Sequence, residues 1–102
     1  MPLRVKIALR SEVPPGTGKV VVALGRVLAL FNLEGSFHAM DNSCPHRGGP
    51  LGEGFIQGCV VTCPWHGWQF DVRSGISPLN PRHAVRCVPV EVEGEDIFAR
   101  LD

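Results

Sequence analysis

A chain of 102 residues, 44% of them hydrophobic, is long enough to bury one core, roughly two-thirds of its unfolded surface, and too short to add a second, catalytic domain. Ten basic and ten acidic side chains balance without runs of one sign, so the charge favours neither nucleic acid nor an anionic membrane as partner. No stretch reaches the ~18 apolar residues of a membrane span and the N-terminal MPLRVKIALRSEV has no signal-peptide pattern, so a soluble, cytoplasmic protein is expected.

Short apolar runs rich in Val, Ile, Leu and Phe, separated by Gly, Pro, Asn and Asp, predict an all-β chain without a helix. The first strand is expected over Val5–Leu9. Pro14-Pro15-Gly16-Thr17-Gly18 then reads as a turn, because the glycine spacing and following helix of a phosphate loop are missing. Strands at Lys19–Leu24 and Arg26–Asn32 flank Gly25, and Ser36–Met40 follows the turn Glu34-Gly35. From Asn42 to Gly58 the pattern breaks. Cys44, Pro45, His46, Gly48, Gly49, Pro50, Gly52 and Gly54 resist regular structure, and the interval is neither polar nor repetitive enough for a linker, so a functional loop is expected. Strands at Gly58–Thr62, Gln69–Asp71, Val85–Val92 and Ile97–Leu101 complete the chain, with turns at Ser74-Gly75 and Gly94-Glu95-Asp96. Several short hairpins and two facing loops imply a small antiparallel β-sandwich or barrel with the loops at one end.

Four cysteines would suggest disulfides in a secreted chain, a reading that weakens without a signal peptide. Two of them come with a histidine: Cys44-Pro-His46 and Cys63-Pro-Trp-His66, with sixteen residues between. A zinc finger groups its cysteines on a hairpin and its histidines on a helix around one ion. Mixed pairs on two facing loops suit two irons better, with both thiolates on one, both imidazoles on the other, and sulfide bridging them. A structural zinc module remains as a lesser reading. Cys59 and Cys87 lie outside these pairs and read as buried free thiols, with a disulfide as the alternative. His38 and His83 read as structural or surface residues. Asp41, Glu53 and Asp71 flank the metal end, where they would be solvated loop charges or meet a basic partner.

The stretches CPHRGGPL, from Cys44, and CPWHGWQF, from Cys63, resemble the two cluster-binding boxes of Rieske [2Fe-2S] proteins. FHAMDNSCPHRGGPL and FDVRSGISPLNP resemble the family's flanking segments, leaving only the first twenty or so residues generic. The resemblance implies one [2Fe-2S] cluster, with Cys44 and Cys63 on the inner iron and His46 and His66 on the outer iron near the surface. It also implies one domain over 1–102, all-β, a small antiparallel sandwich or barrel with a cluster-binding subdomain at about 42–81. Ser77 to Pro81 would match a proline-containing loop that packs over the cluster. Gly48, Gly49 and Gly67 are expected to permit close approach and to point N–H groups at sulfur, while Pro45, Pro50 and Pro64 stiffen the loops. Trp65 and Trp68 would shield the cluster or pack in the core.

Respiratory-complex members of the family carry an extra cysteine in each box, joined as a disulfide, where this chain has Gly49 and Trp65. They also carry a hydroxyl residue where it has Trp68. Fewer donors to sulfur imply a potential in the lower part of the Rieske range of about −150 to +300 mV. The resemblance therefore points to a soluble Rieske-type ferredoxin, a non-catalytic one-electron carrier between a flavin-dependent reductase and a terminal oxygenase. The alternative is the small subunit of an assimilatory NAD(P)H nitrite reductase, bound to its large subunit.

Overall fold

The computed structural model describes residues 3–45, 48–65 and 67–101. Its strands are β1 (Leu3–Leu9), β2 (Gly18–Ala23), β3 (Arg26–Leu33), β4 (Ser36–Asp41), β5 (Phe55–Gln57), β6 (Val60–Thr62), β7 (Gln69–Asp71), β8 (Cys87–Val88), β9 (Val90–Glu93) and β10 (Asp96–Leu101). They form three antiparallel sheets with strand orders β1-β10-β9, β2-β3-β4-β8 and β5-β6-β7. This is the all-β, antiparallel class expected from the sequence as a sandwich or barrel, here divided among three sheets.

The four-stranded sheet lies between two cores, and β3 shows why its sequence is continuously apolar. Side chains alternate across a strand, so Leu28 and Leu30 enter a core with Val21, Ala39, Ile97, Ala99 and Leu101 from the β1-β10-β9 side. Ala29 and Phe31 point the other way, into a core with Met40, Leu51, Val61, Phe70, Val72, Cys44 and Cys63. Neighbouring residues of one strand therefore belong to different cores, and a run buried on both faces loses the polar alternation of a one-sided strand.

Hairpin geometry follows from turn residues. Leu24 and Gly25 connect β2 to β3, and Glu34 and Gly35 connect β3 to β4, both pairs with positive φ. That is the pattern of type I′ turns, whose twist matches the flanking strands. Asn32 is buried and ties the second turn down: its Oδ1 accepts the Gly35 N–H at 2.6 Å, while its Nδ2 donates to the Val13 carbonyl at 2.8 Å.

Three expectations need correction. Phe55–Gln57 is a strand inside the interval read as loop, and Gly58 and Cys59 form the turn to β6, so Gly58–Thr62 is one strand only from Val60. Short 3-10 turns occupy Arg10–Glu12 and Leu51–Glu53. The run Val85–Val92 divides at Pro89, which has no N–H to give to a ladder. Before it, β8 pairs with β4; after it, β9 pairs with β10. The chain passes from one sheet to another there, and the Pro89 carbonyl still accepts the Arg100 N–H at 3.0 Å.

Among the described residues, no helix is long and apolar enough to cross a membrane.

Candidate metal centre

Cys44 and Cys63 head two loops with the same backbone bonding. The Cys44 N–H donates to the Gly49 carbonyl at 2.9 Å, and the Gly48 N–H returns to the Cys44 carbonyl at 2.7 Å. In the second loop the Cys63 N–H donates to the Trp68 carbonyl at 2.7 Å, and the Gly67 N–H returns to the Cys63 carbonyl at 3.1 Å. Both returning residues are glycines with left-handed φ, 73° and 76°, a backbone that a β-carbon disfavours. The expectation that Gly48 and Gly67 aim N–H groups at sulfur is therefore corrected: those groups close the turns onto the cysteine carbonyls.

Each loop is held at its neck. Asn42 clasps the first, its carbonyl accepting the Leu51 N–H at 2.8 Å and its Oδ1 the Gly52 N–H at 2.7 Å. The second loop joins β6 to β7, whose last rung pairs Thr62 with Gln69, and Gln69 Nε2 donates to Thr62 Oγ1 at 3.3 Å.

The loops face one another at Gly49. A β-carbon there would lie 2.5 Å from Cys63 Sγ and 3.3 Å from Trp65 Cβ, so the first loop leaves this position bare for the second loop's thiol to approach. Gly49 and Trp65, the two positions read as replacements for a disulfide, are thus neighbours in space. Both thiols are buried, each 2% exposed, and both belong to the core beneath the loops. His46 and His66 lie outside the described residues. Two buried thiols on twin loops, with a cleared space between the loops and a histidine in each, form a donor set and a cradle compatible with a metal group that spans them.

A third segment covers the second loop. Residues 76–84 are closed at their neck by the Ile76–Ala84 bridge, and inside them buried Ser77 accepts the Leu79 and Asn80 N–H groups on Oγ at 3.3 and 3.4 Å. The His83 ring stacks on Trp68, with centroids 4.0 Å apart and planes 14° from parallel. Trp68 also packs against the core under the loops, as one of its two expected roles requires. Trp65 is 59% exposed and Leu79 76% exposed.

The remaining candidates have local roles. Cys59 and Cys87 are free and half-buried; Cys59 Sγ lies 3.7 Å from Asp71 Oδ2, and burial pushes the Cys87 thiol up. Arg73 grips Asp71 with its side chain and backbone N–H, and that grip lowers the carboxyl to about 2. Asp41 pairs with Arg26 at 3.0 Å. Neither aspartate is a loose loop charge. His38 Nε2 meets Ser36 Oγ at 3.1 Å, and burial lowers its pKa, with Arg73 adding to the effect. The Trp68–His83 pair is the feature that sequence reasoning missed, because nothing in the spacing of the two residues marks them as partners.

The sequence model described as the Rieske [2Fe-2S] domain matches residues 4–89. The chain is 34% identical over 91 residues to the ferredoxin component of the naphthalene 1,2-dioxygenase system of Pseudomonas aeruginosa, covering 88% of each chain. Among solved structures it resembles a chain in the complex of reduced oxygenase and oxidized ferredoxin of carbazole 1,9a-dioxygenase, with a TM-score of 0.86, 29% identity, and 95% of this chain and 92% of that one covered. It also resembles a protein assigned as the small subunit of an NADH-dependent nitrite reductase from Mycobacterium tuberculosis, with a TM-score of 0.91, 25% identity, and 100% and 97% covered.

Proposed function

The chain belongs to the Rieske [2Fe-2S] domain family, and from that premise we propose that it is a non-catalytic one-electron carrier, a cytoplasmic ferredoxin taking electrons from a flavin-dependent reductase to a terminal oxygenase. Residues 1–102 act as one domain, with 42–81 as its cluster-binding part. Its cofactor is a [2Fe-2S] cluster, which supplies a single site that holds one electron at a time.

The chain's own residues bind and insulate that site. Cys44 and Cys63 would hold the cluster through their thiolates, and His46 and His66 through their imidazoles. The twin hydrogen-bonded turns keep the two loops in one geometry, which lowers the rearrangement that accompanies electron transfer. Gly49 lets the second thiol close on the first loop, Trp68 keeps water from one side, and the exposed Trp65 and Leu79 offer apolar contact to a partner. The observation that carries the reading is the pair of matching loops, each led by a buried cysteine.

Absorption and EPR spectra with iron and sulfide analysis test the cofactor, and reduction of a terminal oxygenase by the reduced protein tests the role. Two irons and two sulfides per chain, with electron delivery to the oxygenase, are expected. Colourless protein holding one zinc and no sulfide would overturn the reading. The likeness to the nitrite reductase small subunit favours a second reading, a subunit of a larger reductase. Co-purification with a nitrite reductase large subunit in stoichiometric amount would select it.

A further inference from the structure

The two cysteine loops share their backbone bonds and differ sharply at one position, the residue whose carbonyl receives the cysteine N–H. In the first loop it is Gly49, where a side chain would strike Cys63 Sγ. In the second it is Trp68. Because the Trp68 carbonyl holds the Cys63 N–H at 2.7 Å, whatever fixes Trp68 also fixes the backbone of Cys63. Core packing fixes one side of the indole. The indole also stacks on the imidazole of His83, nearly parallel to it at 4.0 Å.

His83 is held in turn by a segment with no regular strand. Its carbonyl accepts the Ser77 N–H at 2.9 Å, its own N–H donates to the Asn80 carbonyl at 2.9 Å, and its Nε2 sits 3.5 Å from Asn80 Nδ2. Ser77 is buried and gathers two further N–H groups of the segment. The fold thus ties down a proline-containing segment and through it presents one flat ring to the indole beside the second cysteine loop.

We propose that His83 is a positioning residue for the metal centre: by stacking on Trp68 it holds the second cysteine loop and keeps water off that side, and so sets the reduction potential. The inference rests on reading Cys63 as a cluster ligand. Reduction of the cluster would add one negative charge, which water would stabilise; two stacked, half-buried rings beside the loop would withhold part of that stabilisation and keep the potential low. Stacking needs a ring plane and not an imidazole nitrogen.

The test compares the midpoint potential and thermal midpoint of the cluster-loaded protein with those of His83→Phe and His83→Ala, each checked for iron and sulfide. His83→Phe is expected to keep the wild-type potential, and His83→Ala to shift it to a more positive value. If His83→Ala does not retain the cluster, His83→Asn, which keeps a side chain there but opens the place of the ring to water, is expected to show the positive shift. A lowered thermal midpoint with an unmoved potential overturns the inference and leaves His83 a packing residue. A shift in His83→Phe as large as in His83→Ala also overturns it. Wild-type protein without iron and sulfide overturns the reading of Cys63 and the inference together, whereas a cluster whose potential ignores these substitutions overturns the inference alone.

Discussion

Gly49 is the residue at which one missing side chain has the largest consequence. A methyl group there would overlap Cys63 Sγ, so the thiol or one of the loops must shift to admit it. Gly49→Ala is therefore expected to cost about 1–3 kcal/mol as overpacking and to lower the iron and sulfide bound per chain, read by metal analysis and visible absorption. Asp71 gives a second prediction at this scale. Hydrogen bonding from Arg73 lowers its carboxyl from 3.8 to about 2, so the folded state favours the ionised form. That stabilisation is complete above about pH 4 and is lost as the pH falls through about 2. Arg73 is exposed, so solvent screening limits the effect to about 1 kcal/mol or less. The difference in denaturation midpoint between the chain and Asp71→Asn should be full at pH 6 and shrink below pH 4.

At the scale of elements, the turn between β2 and β3 is imperfect. Leu24 takes a left-handed φ of 50° while 57% exposed, a conformation that costs a branched side chain about 1–2 kcal/mol and suits asparagine much better. Leu24→Asn should raise stability by about 0.5–1 kcal/mol, seen as a rise of a few degrees in thermal midpoint. The same local rules decided what could be read before the structure. β3, β4, β7 and β10 were visible because their apolar residues recur between turn-forming pairs, and the cysteine loops were visible as motifs. β5 was not, since its three residues, Phe55, Ile56 and Gln57, are too few between Gly54 and Gly58 to carry a pattern. The passage between sheets at Pro89 was merged into one strand because Val88 and Val90 keep the apolar rhythm on both sides of it. The His83 stack lay beyond reach for a different reason. It joins segments that only tertiary folding brings together, and neither residue is unusual in its own neighbourhood.

For the whole molecule, zero net charge is matched by how the charges are spent. On the outer face of β1, β10 and β9, Arg4 pairs with Glu91 and Glu93, Arg100 with Glu91 and Lys6 with Asp96, and Arg4 lies 3.6 Å over the Phe98 ring. Charges paired within their own sheet project little field toward a partner. Electron transfer to a terminal oxygenase, the partner proposed above, should therefore slow by less than about tenfold between low and physiological salt, measured by stopped-flow absorbance.

The double burial of β3 bears on how such a carrier fails. Leu28 and Leu30 cannot hold their places on one side if Ala29 and Phe31 lose theirs on the other, for all four hang from the same few peptide bonds. The sandwich is then more than a pedestal for the loops. It is ballast shared by both cores, the one beneath the cysteine loops and the one behind the sheet.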